Sequence, residues 1–303
     1  MSMRVQHLPF LLQRANDRDI QGAWHLPEGQ PAKGTVLFLH GYKGYMDWGA
    51  WNQVGDQMAL SGWRFLRINF THNGTTPDAP SAFADLDAFG RNTHRRERNE
   101  ALAVLRALRE PGPEGHPNPT AQGPLAVLGH SRGGGMAVLA AAQADTALRL
   151  ENKEGVTHLI TWAAVADFKS RFPGPETRQL WEETGQLEVI NHRTRQRMQH
   201  DWTFYTDFMA HEKELHIESA IRSFGGRTFI AHAEDDAAVD VEHAHQLAAW
   251  ARDFTLLLME EGGHTFGASE PWTSPLLPPI LGGLTQTTLR FLEEGRAVGD
   301  VLD

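Results

Sequence analysis

Between positions 124 and 138 the chain reads Pro124-Leu-Ala-Val-Leu-Gly-His-Ser-Arg-Gly-Gly-Gly-Met-Ala-Val138. A short apolar run leads straight into Gly129-His130-Ser131-Arg132-Gly133, and an alanine-rich stretch suited to a helix follows. A Gly-x-Ser-x-Gly segment between a strand and a helix predicts a sharp turn that lifts the serine hydroxyl clear of a sheet edge. The flanking glycines lack the Cβ atoms that would collide in so tight a turn. A helix beginning at Arg132 also points its free N–H groups to where negative charge would form on a substrate oxygen.

Outward from this segment the same alternation recurs. Apolar, β-branched or aromatic runs at 35–40, 63–70, 156–164, 227–231 and 254–259 read as strands buried on both faces. Stretches with apolar residues three and four apart, at about 48–60, 94–109, 132–143 and 240–252, read as helices between them. Strand followed by helix, repeated, predicts an α/β fold with a mostly parallel sheet, eight strands in all, and helices on both faces. Two runs at 4–12 and 19–26 face each other across Asn16-Asp17-Arg18-Asp19 and predict an antiparallel hairpin at the sheet edge. The Pro- and Gly-rich 112–124 stretch reads as a loop. One interval breaks the rhythm: 167–222, rich in Phe, Trp, Arg, Glu and His, is read as an inserted helical cap within a single domain spanning 1–303.

Composition narrows the chemistry. Of 303 residues, 41% are hydrophobic and 22% charged, enough apolar side chain for a sizeable core. A formal charge of -10 repels a phosphate backbone on average, so nucleic acid is not expected as a partner. The absence of cysteine excludes disulfides, thiolate nucleophiles and Cys-ligated metals. The N-terminal twelve residues mix Arg4, Gln6, His7 and Pro9 among apolar ones, unlike the h-region of a signal peptide, and no stretch is apolar enough to span a membrane. A cytoplasmic location is expected, with no membrane partner, no metal and no organic cofactor.

A serine becomes a good nucleophile only when a base takes its proton and an acid orients the base. On a Gly-x-Ser-x-Gly scaffold these follow in the order acid, then histidine, each after a late strand. The strand at 227–231 runs into His232-Ala-Glu-Asp-Asp-Ala-Ala-Val-Asp240, and that at 254–259 into Glu260-Glu-Gly-Gly-His-Thr-Phe-Gly267. His264 is the expected base and Asp236 the expected acid, with Asp235 the alternative. Two oxyanion donors are expected: the backbone N–H of Arg132, and that of Tyr42 in His40-Gly41-Tyr42-Lys43-Gly44. Lys43, Asp47 and Trp48 could fix this loop through a salt bridge and packing, or be ordinary surface residues. His72 and Asn73 could line the site, or Asn73 could cap a turn. His243 and His245, two apart on a helix, diverge and make a poor metal site. The charged run from Arg91 to Arg98 reads as a solvated helix face.

These three segments, around Gly41, Ser131 and His264, resemble the oxyanion, nucleophile and histidine motifs of the α/β-hydrolase superfamily, and the likeness runs from Thr35 to about Glu294. The acid loop resembles that superfamily's His-Gly-x-x-Asp-x-x-Val-Pro pattern, which aligns with Asp236, although Ala233 replaces Gly and Asp240 replaces Pro. Within the superfamily the elbow and the polar insertion are most similar to feruloyl or cinnamoyl esterase-like and dienelactone-hydrolase-like proteins. The resemblance implies a serine hydrolase acting on small-molecule carboxylic esters, and the aromatic-bearing 167–222 cap leads to the expectation of a small or medium, or aromatic, acyl group. An aminopeptidase or dipeptidyl-peptidase activity, with Glu182, Glu183 or Glu188 holding the substrate amine, is the competing reading. A non-catalytic binding protein on the same fold is the third.

Overall fold

A computed structural model describes residues 4–110 and 120–294. Most of the 112–124 loop lies outside the described residues.

The eight-stranded sheet has the order β1(Arg4–Leu12), β2(Ile20–Glu28), β4(Trp63–Asn69), β3(Gly34–Leu39), β5(Leu125–His130), β6(His158–Trp162), β9(Arg227–Ala233), β10(Phe254–Met259). The strands from β4 to β10 pair in parallel, while β2 is antiparallel to both β1 and β4. The N-terminal hairpin is therefore the expected edge, with Leu12 opposite Ile20 and the Arg14 N–H donating to Asp19 across the turn.

Why the strands read as continuous apolar runs is plain from where their side chains go. Leu37, Leu39, Leu66, Ile68 and Val127 join one core, packed under α3(His94–Arg109) and α4(Arg132–Leu150). Their neighbours Val36, Phe38, Phe65, Ala126 and Leu128 join a second core on the opposite face, under α1(Trp51–Leu60) and α9(Pro279–Glu293). A strand covered on both faces has no side left for water, so alternation vanishes. α4 runs seven residues past the predicted end at 143, because the side chains that continue it, Ala144 and Leu148, remain buried. α8(Glu242–Trp250) sits between β9 and β10 in sequence.

The 167–222 stretch holds more than helices. α5(Pro175–Thr184), α6(Thr203–Ala210) and α7(Ile217–Ser223) frame an antiparallel hairpin of β7(Gln186–Ile190) and β8(Arg197–Asp201). Its signal was the period-two pattern of Gln186-Leu-Glu-Val-Ile190, in which Leu187 and Val189 point one way. No helix among the described residues is long and apolar enough to cross a membrane.

The reading of Arg91 to Arg98 as a solvated face is overturned. Asn92, His94, Glu97 and Arg98 are all buried. α3, capped by the Thr93 hydroxyl, packs against α4 and α6, so one side of its charged first turns is enclosed and must find partners inside.

Candidate active site

Ser131 occupies a backbone conformation (φ 58, ψ -123) that non-glycine residues rarely adopt. The surroundings hold it there: its N–H donates to the Trp162 carbonyl at 2.9 Å, and its own carbonyl accepts from Gly134 and Val165. The turn closes because residue 133 has no side chain, since a Cβ there would lie 2.3 Å from the Leu39 carbonyl oxygen and 2.4 Å from that of His40. Gly41 is equally constrained, as its Cβ would lie 2.9 Å from that of Ser131. The loop after β3 is thereby pressed against the serine turn.

The structure brings Ser131, His264 and Asp236 into one chain of contacts. His264 Nε2 lies 2.9 Å from Ser131 Oγ, and His264 Nδ1 lies 2.8 Å from Asp236 Oδ2. Asp236 also accepts through Oδ1 from the N–H groups of Ala238 and Val239, and His232 Nε2 stands 3.3 Å from its Oδ2. Burial alone would raise the pKa of this carboxyl group, but hydrogen bonds from His232 and His264 outweigh it and hold the group well below the usual carboxylate range. Asp235 points elsewhere: it is exposed and accepts the Gly263 N–H at 2.7 Å, bracing the histidine loop.

The N–H groups of Tyr42 and Arg132 have no acceptor among the hydrogen bonds of the described residues, and both residues border the same cavity as Ser131. Behind them, His40 donates from Nδ1 to the Gly41 carbonyl and accepts at Nε2 from the Phe70 N–H and the Asn73 amide. Burial lowers the pKa of His40 to about 4, which keeps it neutral and able to play both parts. Asn73 thus props the loop from beneath and also receives the Thr75 N–H in a turn, rather than lining the cavity. His72 bonds Thr71 away from the cavity. Asp47 pairs with Arg67 instead of Lys43, whereas Lys43 donates to the Ile190 carbonyl at 3.1 Å.

Several residues here had no forecast role. His130, inside the elbow itself, donates from Nε2 to the His264 carbonyl at 2.8 Å, and burial lowers its pKa to about 3. Glu97 reaches from α3 to Arg132 Nη2 at 2.6 Å, with Asn92 also donating to it at 2.7 Å. Burial raises the pKa of Glu97, opposed by the Arg132 charge. The sequence signals nothing of Glu97 beyond its place in a charged run, and of His130 only its place next to the serine.

A cavity of about 540 Å³ opens at Ser131. Its walls are largely apolar, with Val165, Phe168, Phe172, Trp181, Leu187, Val189 and Phe204 contributing, most of them from 167–222. Lys43, Arg132 and Arg171 border it, and no carboxylate among the described residues does; Glu182, Glu183 and Glu188 lie outside its lining.

One group of three among the described residues has metal-ligand chemistry: His7, His25 and Asp56, with donor atoms within 4.8 Å. Arg67 Nε donates to His25 Nε2 at 2.9 Å, so the proton of neutral His25 sits on Nδ1 and goes to Asp56 at 2.7 Å. A protonated nitrogen cannot ligate a metal, and the trio instead ties β1 and β2 to α1. His243 accepts the Ala166 N–H, and its pairing with His245 forms no such group.

The sequence profile of the alpha/beta hydrolase family matches residues 36–275. The chain belongs to this family. Among solved structures, this alpha/beta hydrolase is similar to a candidate hydrolase from Agrobacterium vitis S4, at 21% identity over 95% of this chain and 99% of that one, with a TM-score of 0.69. It is also similar to Est1E from Butyrivibrio proteoclasticus with ferulic acid bound, at 14% identity over 91% and 95% of the two chains (TM-score 0.66). A soluble variant of monoglyceride lipase from Saccharomyces cerevisiae, in complex with a substrate analogue, matches at 15% identity over 97% and 96% (TM-score 0.62). At these identities the likeness is one of fold. No curated protein matches the chain by sequence.

Proposed function

We propose that the protein is a serine hydrolase that cleaves carboxylic esters through an acyl-enzyme. The observation that carries this reading is the unbroken run of contacts from Asp236 through His264 to the strained Ser131, at 2.8 and 2.9 Å, beside Tyr42 and Arg132, whose N–H groups have no acceptor among the described residues. In this scheme Ser131 attacks the ester carbonyl and His264 accepts its proton, then returns it to the departing alcohol. Asp236 keeps the Nδ1 proton in place and stabilises the imidazolium. The N–H groups of Tyr42 and Arg132 hold the oxyanion, and water activated by His264 releases the acid.

The aromatic and aliphatic walls of a cavity this size suit a small or medium acyl group, aromatic ones included, with 167–222 acting as a cap. Ferulic acid in Est1E is consistent with that choice. An aminopeptidase would need an acidic group facing the substrate amine, and among the described residues the cavity lining has none. A binding protein without activity would have no use for a strained, fully partnered serine turn.

The test is hydrolysis of p-nitrophenyl esters of rising chain length, methyl ferulate and aminoacyl-nitroanilides by the native protein and Ser131→Ala. Ester turnover that vanishes in the variant, with an unchanged circular dichroism spectrum, is the expected result. Anilide cleavage without ester cleavage would sink the esterase reading, and no turnover or fluorophosphonate labelling at all would sink the enzyme.

A further inference from the structure

Tyr42 and Arg132, the two residues proposed to hold the oxyanion, both border the cavity and are tied to each other by their side chains. The Arg132 guanidinium lies over the Tyr42 ring, 4.5 Å from its centroid, while Glu97 holds its Nη2 from the other side. Tyr42 Oη in turn meets His200 Nε2 at 2.8 Å. His200 belongs to β8, so this path leads from α3, through both N–H donors, into the 186–201 hairpin. A second tie runs in parallel, because the next residue of the loop, Lys43, donates to the carbonyl of Ile190 on β7.

Each link is buried where a casual contact would be costly. Glu97 is 1% exposed and His200 3%. A buried guanidinium without its carboxylate, or a buried imidazole without its hydroxyl, leaves a polar group unmet. His200 is further sandwiched by Phe204 and Phe89, with ring centroids at 4.3 and 4.7 Å, which fixes its plane and hence the direction of its bond to Tyr42. Burial lowers its pKa to about 3, so it stays neutral beside Arg132. Tyr42 Oη, with its pKa raised by burial to about 12, stays protonated.

We infer that Glu97 and His200 are positioning residues for the oxyanion hole: the hairpin of the insertion sets the place of the Tyr42 donor, and α3 sets that of Arg132. The inference rests on the serine hydrolase reading. Neither residue touches the reacting atoms. Their effect would come through the aim of two N–H groups, and a displacement of such a donor weakens the transition state far more than the bound substrate.

The experiment compares the native protein with His200→Phe, which keeps the ring stack and removes the bond, with Tyr42→Phe, with the double variant, and with Glu97→Gln. Three readouts are taken: kcat and KM on an active ester, the inhibition constant of a trifluoromethyl ketone that forms an oxyanion on Ser131, and the rate of fluorophosphonate labelling. For His200→Phe and Tyr42→Phe we expect kcat, ketone affinity and labelling rate each to fall about tenfold, with KM within about twofold. The double variant should be no worse than either single one, since both remove one bond. Glu97→Gln should show the same split, and its melting curve separates that from loss of fold. Unchanged ketone affinity with a raised KM would make the hairpin a substrate wall only and overturn the inference. Native protein that labels at Ser131, with variants labelling equally fast, would overturn it while leaving the hydrolase reading standing. Failure of the native protein to label would overturn both.

Discussion

Replacing Asp236 with Asn changes one atom and should nearly abolish turnover, whereas the same change at Asp235 should be mild. In the folded protein Asp236 Oδ2 receives the His264 Nδ1 proton at 2.8 Å, while its other oxygen is anchored by two backbone N–H groups at 2.8 and 3.0 Å. Those anchors oblige an asparagine to keep its carbonyl oxygen on them, which turns its NH₂ toward His264. Two donors then meet. The imidazole answers by moving its proton to Nε2, where it faces Ser131 Oγ and can no longer accept. The loss expected from a wrong tautomer in an intact site is about ten-thousandfold in kcat, or about 5.5 kcal/mol of transition-state stabilisation. Asp235 accepts an N–H from Gly263, and an asparagine carbonyl accepts it equally well. A loss below about threefold is expected there, the scale of a retained neutral hydrogen bond. The assay is steady-state hydrolysis of an activated ester, with fluorophosphonate titration to count competent sites. Comparable losses in the two variants, or a larger one for Asp235→Asn, would refute the assignment of the acid.

Two further expectations follow from the same geometry. Gly41→Ala places a methyl group 2.9 Å from the Ser131 Cβ and 3.2 Å from the His130 carbonyl oxygen, so the loop must retreat; kcat should fall while the melting temperature drops by an amount equivalent to about 1–3 kcal/mol, read by calorimetry. The buried, neutral histidines His40, His130 and His200 have pKa values lowered to about 4, 3 and 3, below that of an unfolded histidine. The unfolded chain therefore binds more protons than the folded one below about pH 6.5, and each group removes about 1.4 kcal/mol of stability per pH unit as the pH falls toward its folded value. Glu100, raised by burial to about 7, works in the opposite sense, favouring the fold as it takes up its proton from pH 7 down to about 4.5. Burial also lowers His25, His72, His94 and His243 and raises Glu97, so seven histidines against two carboxyl groups predict net acid destabilisation, to be read from urea midpoints between pH 7 and 5, and a midpoint that rises on acidification would refute it. His200→Phe should flatten that slope.

Much of the molecule was legible before any coordinates. The strands were readable because burial on both faces strips a strand of polar residues, and the serine turn because its strain must be met by local glycines. Chain order, a place just after the last strand and the glycines before it together pointed to His264 as the expected base. What escaped was whatever depends on a partner distant in sequence. Arg91 to Arg98 carries the charge pattern of a wet helix, yet Glu97 is buried against Arg132, thirty-five positions on. Between Asp235 and Asp236 the sequence favoured Asp236 and left Asp235 as the alternative; the turn after β9 sets the Asp236 carboxylate against an imidazole twenty-eight residues away. The hairpin at 186–201 was hidden by its polar composition.

The sequence by itself determined the layered sheet, the strained serine and the order of the groups behind it, since each is written in periodicity, glycine placement or chain order. Tertiary structure decided which charges are enclosed and how the 186–201 hairpin holds the loop beside Ser131, and it set Asp236 rather than its alternative Asp235 against His264. Those outcomes depend on distances between segments far apart in the chain, and a short run of residues carries no record of such distances.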